Sequence, residues 1–172
     1  MLPAIERSKK LPVVLSFREV KQLLKAPKLL KHRLVLALLY GCGLRCFELC
    51  NLQLKDLDFD RMMLHVRQGK GRKDRYVPLS RMQIRGLKTY LAAENPCTWC
   101  FTGNNTEGRP VPLSTQGVRW IVREARKHSG IQKEVTTHSL RHSYATHLLE
   151  MGLDIMSVKD LLGYADIQTT LT

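Results

Sequence analysis

Four short stretches hold side chains that could act together on a phosphate. Arg45 and Glu48 stand three residues apart in LRCFELC, a spacing that puts both on one face of a helix, where the carboxylate can orient the guanidinium. His138 and Arg141 repeat that spacing in HSLRHS, and GKGRKDR carries Lys70, Arg72, Lys73 and Arg75. Tyr164 is the aromatic residue of the closing stretch LLGYADIQTTLT. Two arginines, a loop lysine and a histidine are suited to holding a phosphodiester and stabilising the extra negative charge of its five-coordinate transition state. The planar guanidinium fork matches the nonbridging oxygens, while imidazole and ammonium groups can move protons to or from the attacking and leaving oxygens. Taken singly each signal is weak, since an arginine and a glutamate three apart on a helix form an ordinary ion pair far more often than a site.

Other chemistries fit the residues less well. His138 and His142 have the spacing of a zinc-protease helix, but Ser139 stands where the glutamate base belongs and no third ligand is placed nearby. His142 and His147 therefore read as packed or exposed helix histidines. Cys97 and Cys100 form half of a possible metal site without a second pair, because Cys42, Cys46 and Cys50 lie on or beside an apolar helix, where cysteine acts as a small hydrophobe. GKGRKDR lacks the full glycine-rich phosphate-loop pattern and its strand-to-helix setting. No carboxylate cluster suited to two metal ions is visible, so a metal-free reaction would need a nucleophile from the protein itself.

Composition points the same way. Lys and Arg number 28 against 15 acidic residues, giving a formal charge of +13 and a pI near 9.9, an excess that suits a polyanion, most often nucleic acid. At 172 residues with 44% hydrophobic content, the chain can bury a real core as one domain, with or without an appendage. The longest apolar run, LVLALLYGCG, is too short to span a bilayer, and MLPAIERSKK lacks the apolar region of a secretory signal, so a cytoplasmic location is expected. Five cysteines, an odd number without scaffold spacing, fit a reducing compartment.

The elements that must position these groups are legible in outline. Residues 1–15 read as a linker or arm, and residues 16–172 as the folded domain. SFREVKQLLKA opens on a capping box from Ser16 to Glu19 and stops at Pro27. LKHRLVLALLY predicts a largely buried second helix, broken by GCG before a short third helix in LRCFELCNLQ. DLDFD, MMLHVRQ and RYVPLS alternate with period two and predict a three-stranded antiparallel meander, whose long basic second turn carries Lys70, Arg72 and Lys73. Helical period returns in RMQIRGLKTYLAAE, followed by a loop over 95–112. Three more helices follow: one capped by Ser114 and ended by Gly130, one capped by Thr136 or Thr137 and ended by Gly152, and a short one ended by Gly163.

LLYGCGLRCFELCNLQLKDLDFD, GKGRKDRYVPLS, THSLRHSYATHLLEMG and VKDLLGYADIQTT stand in the order found in tyrosine recombinases, the phage, integron and chromosome-dimer integrase family, which the chain resembles from about Leu11 onward. The resemblance implies that family's catalytic domain: an α+β, mostly helical fold with a small three-stranded antiparallel sheet at one edge. It implies Arg45 as the first phosphate-binding arginine, Glu48 as the supporting acid, Lys70 as general acid on the leaving 5′ oxygen with Lys73 as the alternative, and His138 and Arg141 as the H-x-x-R pair. Arg72, Lys73 and Arg75 are expected to contact DNA. Where the family usually has LLGH or a tryptophan variant, this chain has LLGY, so Tyr164 takes the place of a residue that donates a hydrogen bond to the phosphate; a phenol can do that but cannot act as an imidazolium.

The family's nucleophilic tyrosine stands nine residues beyond that position, which places it just after Thr172, so the nucleophile is expected to be absent from residues 1–172. The implied reaction attacks a backbone phosphate, leaves a 3′-phosphotyrosyl link and a free 5′ hydroxyl, and needs neither ATP nor a metal. Double-stranded DNA is the implied partner, with four protomers on two duplexes in the full-length protein and a helical DNA-clamping domain that residues 1–15 are too short to form. A catalytically idle DNA-binding or regulatory module, and a zinc-stabilised interaction domain built on Cys97 and Cys100, are the competing readings.

Overall fold

Most helices start where the sequence supplies an acceptor for the first orphan backbone N–H groups. In the computed structural model, which describes residues 11–67, 73–104 and 107–163, α1 (Phe17–Lys25) has the expected capping box: Ser16 Oγ accepts from the Glu19 N–H at 3.1 Å, and Glu19 Oε1 accepts from the Ser16 N–H at 3.0 Å. Ser80 and Gln83 repeat the device at the head of α4 (Arg81–Glu94). Ser114 caps α5 (Thr115–Ser129), Thr136 caps α6 (Thr137–Glu150) and Asp154 caps α7 (Ile155–Leu162). Gly130 and Gly163, at φ 79° and 71°, close α5 and α7 in the left-handed conformation that glycine adopts without penalty.

The centre of the molecule is α2 (Leu30–Gly41), which packs on α1, on α3 (Cys46–Cys50), and on α4, α5 and α6. Leu34, Val35, Leu36, Leu38 and Leu39 are all buried, as befits a helix with neighbours on most sides. The meander is present at one edge, in the order β1 (Leu57–Asp58), β2 (Met63–Val66), β3 (Arg75–Pro78), all antiparallel. Leu64 pairs with Val77 on the inward face and His65 with Tyr76 on the outward face. No helix among the described residues is long and apolar enough to cross a membrane.

Two local expectations differ from the structure. The third helix is shorter than LRCFELCNLQ and begins at Cys46, so Arg45 is the extended residue before it (φ −70°, ψ 151°) rather than a member of it. The stretch 95–112, expected as a loop, contains a small hairpin of β4 (Thr102–Asn104) and β5 (Pro110–Pro112). Gly103, Pro110 and Pro112 argue against strands by propensity; tertiary ties override it. The Leu54 N–H donates to Thr98 O, the Cys100 N–H to Leu52 O and the Leu113 N–H to Phe101 O, with the Phe101 ring fully buried.

Candidate functional site

The chain leaves α2 through Cys42, Gly43 and Leu44. Gly43 has φ +62°, and a Cβ there would lie 2.5 Å from Tyr144 Cδ1 and 2.7 Å from Leu162 Cδ2, so backbone of α2–α3 and side chains of α6 and α7 meet at a spot only glycine fits. That close approach aims the Gly43 carbonyl at α6, where it accepts a short hydrogen bond from Arg141 Nη1. Arg141 Nη2 donates another short bond to Leu162 O at the end of α7. Arg141 is only 3% exposed, and its charge is held inside the protein by these bonds and by a neighbouring carboxylate.

That carboxylate is Glu48. Its Oε1 accepts from the Arg45 backbone N–H at 2.8 Å, capping α3, and its Oε2 lies 3.5 Å from Arg45 Nη1. The expected pairing of Arg45 with Glu48 therefore exists, through the backbone more tightly than through the guanidinium. Arg75 Nη1 and Nη2 donate to Glu48 Oε2 and Oε1 at 2.6 and 3.1 Å, and Arg141 Nη1 stands 3.9 Å from Oε1. Burial pushes the Glu48 carboxyl upward, but the Arg75 hydrogen bonds and charge, the Arg45 N–H and the Arg141 charge outweigh it and hold the group below its ordinary value. Three guanidinium groups thus surround one ionised carboxylate, and the cluster keeps an excess of positive charge that an anion can neutralise.

Arg75, expected among the DNA contacts, is turned the other way by the structure. It is 8% exposed, and its guanidinium is committed to Glu48 and, through Nε at 2.8 Å, to Leu161 O. The signal is present in the sequence: Arg75 and Val77 share one face of a period-two strand, and Val77 belongs to the core. Lys73 is exposed beside β3. Lys70, Arg72 and Tyr164 lie outside the described residues.

His138 is exposed one turn before Arg141 on α6. His142 is half-buried and is held below its usual range by burial, then by the nearby His138 and Arg141. His147 is a packing residue: it stacks on Phe17, and its ring bridges Tyr40 Oη and Leu15 O at 2.7 Å each. A carbonyl only accepts, so Nε2 carries the proton and Tyr40 donates to Nδ1. Cys97 is exposed while Cys100 is buried, its thiol pushed up to about 12 by burial. The strands flanking residues 68–72 are pinned at their base, where Arg67 binds Asp56 and His65 Nε2 meets Asp74 at 2.9 Å while stacking on Tyr76.

The domain is mostly helical with a small edge sheet, and a buried carboxylate gathers three arginines at the junction. Its kin are specific. The sequence profile of the phage integrase family matches residues 13–172, and the chain belongs to that family. Tyrosine recombinase XerA of Thermococcus kodakarensis is 41% identical over 170 residues, covering 98% of this chain and 59% of that protein. A putative integrase/recombinase of Sinorhizobium fredii is 39% identical over 170 residues, covering 99% and 54%. Among solved structures, a XerA recombinase crystal structure matches with a TM-score of 0.86 at 34% identity, over 98% of this chain and 61% of that one. XerH recombinase bound to its palindromic difH substrate, after cleavage, matches at 0.80 and 26% identity, over 94% and 49%. The fold is the tyrosine recombinase catalytic-domain fold, and the chain spans less than two thirds of the length of these relatives.

Proposed function

We propose that this domain binds double-stranded DNA and takes part in site-specific cleavage and rejoining of its strands through a 3′-phosphotyrosyl link. The observation that carries the reading is the convergence of Arg45 and Arg141 on Glu48, within a fold otherwise seen in recombinases. In this role the two arginines hold the scissile phosphate and stabilise its transition-state charge, while Glu48 fixes them in place. His138 assists proton transfer, Lys70 or Lys73 protonates the leaving 5′ oxygen, and Tyr164 donates a hydrogen bond to the phosphate in place of the usual histidine or tryptophan. In this reading the nucleophile is a tyrosine nine residues beyond Tyr164 rather than Tyr164 itself. The working unit is four protomers on two duplexes, acting in the cytoplasm. The difH complex of XerH supports the choice of DNA as ligand.

Two measurements on residues 1–172 test this. Arg45→Gln is expected to weaken binding of a labelled duplex about tenfold and to lower the slope of log affinity against log salt by about 1; unchanged affinity and slope would sink the phosphate assignment. Incubation with a nicked duplex is expected to give no protein–DNA adduct on a denaturing gel, and a Tyr164-dependent adduct would overturn the assignment of the nucleophile. In a longer chain with a tyrosine at 173, Arg45→Ala should abolish cleavage even at protein concentrations high enough to saturate the duplex. If cleavage persists, the domain is an idle DNA-binding module.

A further inference from the structure

Arg75 touches both halves of the site without facing its opening. Its two Nη atoms bind Glu48, on α3, and its Nε binds Leu161 O, on the last turn of α7. The last carbonyls of a helix have no partner inside it. At the end of α7 two of them are taken by buried arginines: Leu161 O by Arg75 and Leu162 O by Arg141. Both arginines stand against the same carboxylate. Cations at a helix C-terminus also meet the negative end of its dipole, so charge and geometry favour the same placement. Glu48 would otherwise draw Arg45 and Arg141 toward itself; with Arg75 paired to it in two hydrogen bonds, much of that negative charge is already neutralised.

We propose that Arg75 is a positioning residue of the site: it neutralises Glu48, so that Arg45 and Arg141 keep their attraction for a phosphate, and it registers the end of α7 against them. The proposal rests on the reading of Arg45 and Arg141 as phosphate ligands. Its consequence is geometric: the backbone that leaves α7 at Gly163 toward Tyr164 starts from a point fixed by the arginines that hold the phosphate. A lysine at 75 keeps the charge but replaces a fork of three donor nitrogens with a single ammonium, which cannot reproduce the bidentate grip on Glu48 and the bond to Leu161 together.

The test compares residues 1–172 with the Arg75→Lys and Arg75→Gln variants, using carbon-detected NMR of the Glu48 carboxyl, amide hydrogen exchange at residues 160–163, and binding of a labelled duplex. For Arg75→Lys, a folded protein is expected, with Glu48 titrating near its wild-type midpoint but amides at the end of α7 exchanging about tenfold faster. For Arg75→Gln, the Glu48 midpoint should rise and duplex affinity should fall, although residue 75 does not face DNA. Wild-type exchange rates at residues 160–163 in Arg75→Lys would overturn the proposal, as would an Arg75→Gln variant with an unmoved Glu48 midpoint. A role confined to holding the fold together would leave duplex affinity at its wild-type value in any variant that folds, even where the Glu48 midpoint moves, and that result would overturn the proposal. Should Arg75→Gln not fold, the Arg75→Lys exchange result decides alone. Failure of the underlying reading appears elsewhere, as duplex affinity indifferent to Arg45→Gln in the wild-type background.

Discussion

Glu48 and Arg75 are separated by 27 residues in sequence and meet through two hydrogen bonds of 2.6 and 3.1 Å in the buried seam between α3 and β3. This pair ties β3 to α3, and the Leu161 carbonyl that Arg75 also holds ties it to α7. Charges taken out of water tolerate one another here only because each has a partner; remove one and the rest become a liability.

Glu48→Ala is therefore expected to destabilise the domain by about 3–5 kcal/mol, the range seen when one member of a buried ion pair is removed. Urea unfolding should show a lower midpoint at an unchanged slope, since the surface exposed on unfolding stays the same.

The same residue sets an acid limit. The folded Glu48 carboxyl lies below its ordinary value of 4.5, since the bonds and charge of Arg75, the Arg45 N–H and Arg141 overcome the upward push of burial. Its contribution is present above that ordinary value and is lost as pH falls through the lowered folded one. His142, depressed from 6.5 by burial and by His138 and Arg141, acts in a neighbouring window: below 6.5 the unfolded chain takes up the proton first, and stability falls. Stability measured against pH should lose its steepest acid segment in Glu48→Gln, while His142→Gln should flatten only the segment just below 6.5.

Gly43→Ala should cost about 2–4 kcal/mol, because it combines a positive φ with overlap of the new Cβ on Tyr144 and Leu162. It should also weaken duplex binding beyond what the unfolded fraction explains, since the Gly43 carbonyl is a partner of Arg141. Binding measured well below the melting temperature separates the two effects.

Lys73→Gln probes the exposed margin of the same surface. One fewer phosphate contact lowers the salt slope of duplex binding by about 1 while leaving thermal stability within about 0.5 kcal/mol of wild type. An unchanged slope would remove Lys73 from the DNA-facing set.

His147→Leu should cost about 1–3 kcal/mol and leave duplex binding intact, because it strands Tyr40 Oη and Leu15 O without touching the arginines. Calorimetry together with a binding titration checks both halves of that statement.

Local physics brings much of this fold into view. The returning helical period places α4 at Arg81–Glu94, and the threonines at 136 and 137 mark the start of α6, where Thr136 is the one that caps it, because capping involves residues three apart in sequence. The pairing of Arg45 with Glu48 is legible for the same reason, although its tightest form, carboxylate to backbone N–H, depends on where the helix begins. Arg75 is misplaced by sequence reasoning because a cluster of basic residues suggests a common surface, whereas strand alternation splits such a cluster between two faces. Its partners, on α3 and at the end of α7, are fixed by tertiary packing that no local spacing encodes. The hairpin of β4 and β5 stays hidden because proline and glycine argue locally against strands, whereas the ties that override them run to residues some fifty positions earlier.

The grip on Leu15 has a mechanical side. Its N–H donates to Ser143 Oγ at 2.9 Å and its carbonyl accepts from His147 Nε2, so both bonds end on the helix that carries His138 and Arg141. Tension applied to the chain upstream of residue 15 meets two parallel bonds one helical turn apart, seated beside a fully buried leucine. Such a load reaches α6 before it reaches α1, on the same helix that holds Arg141.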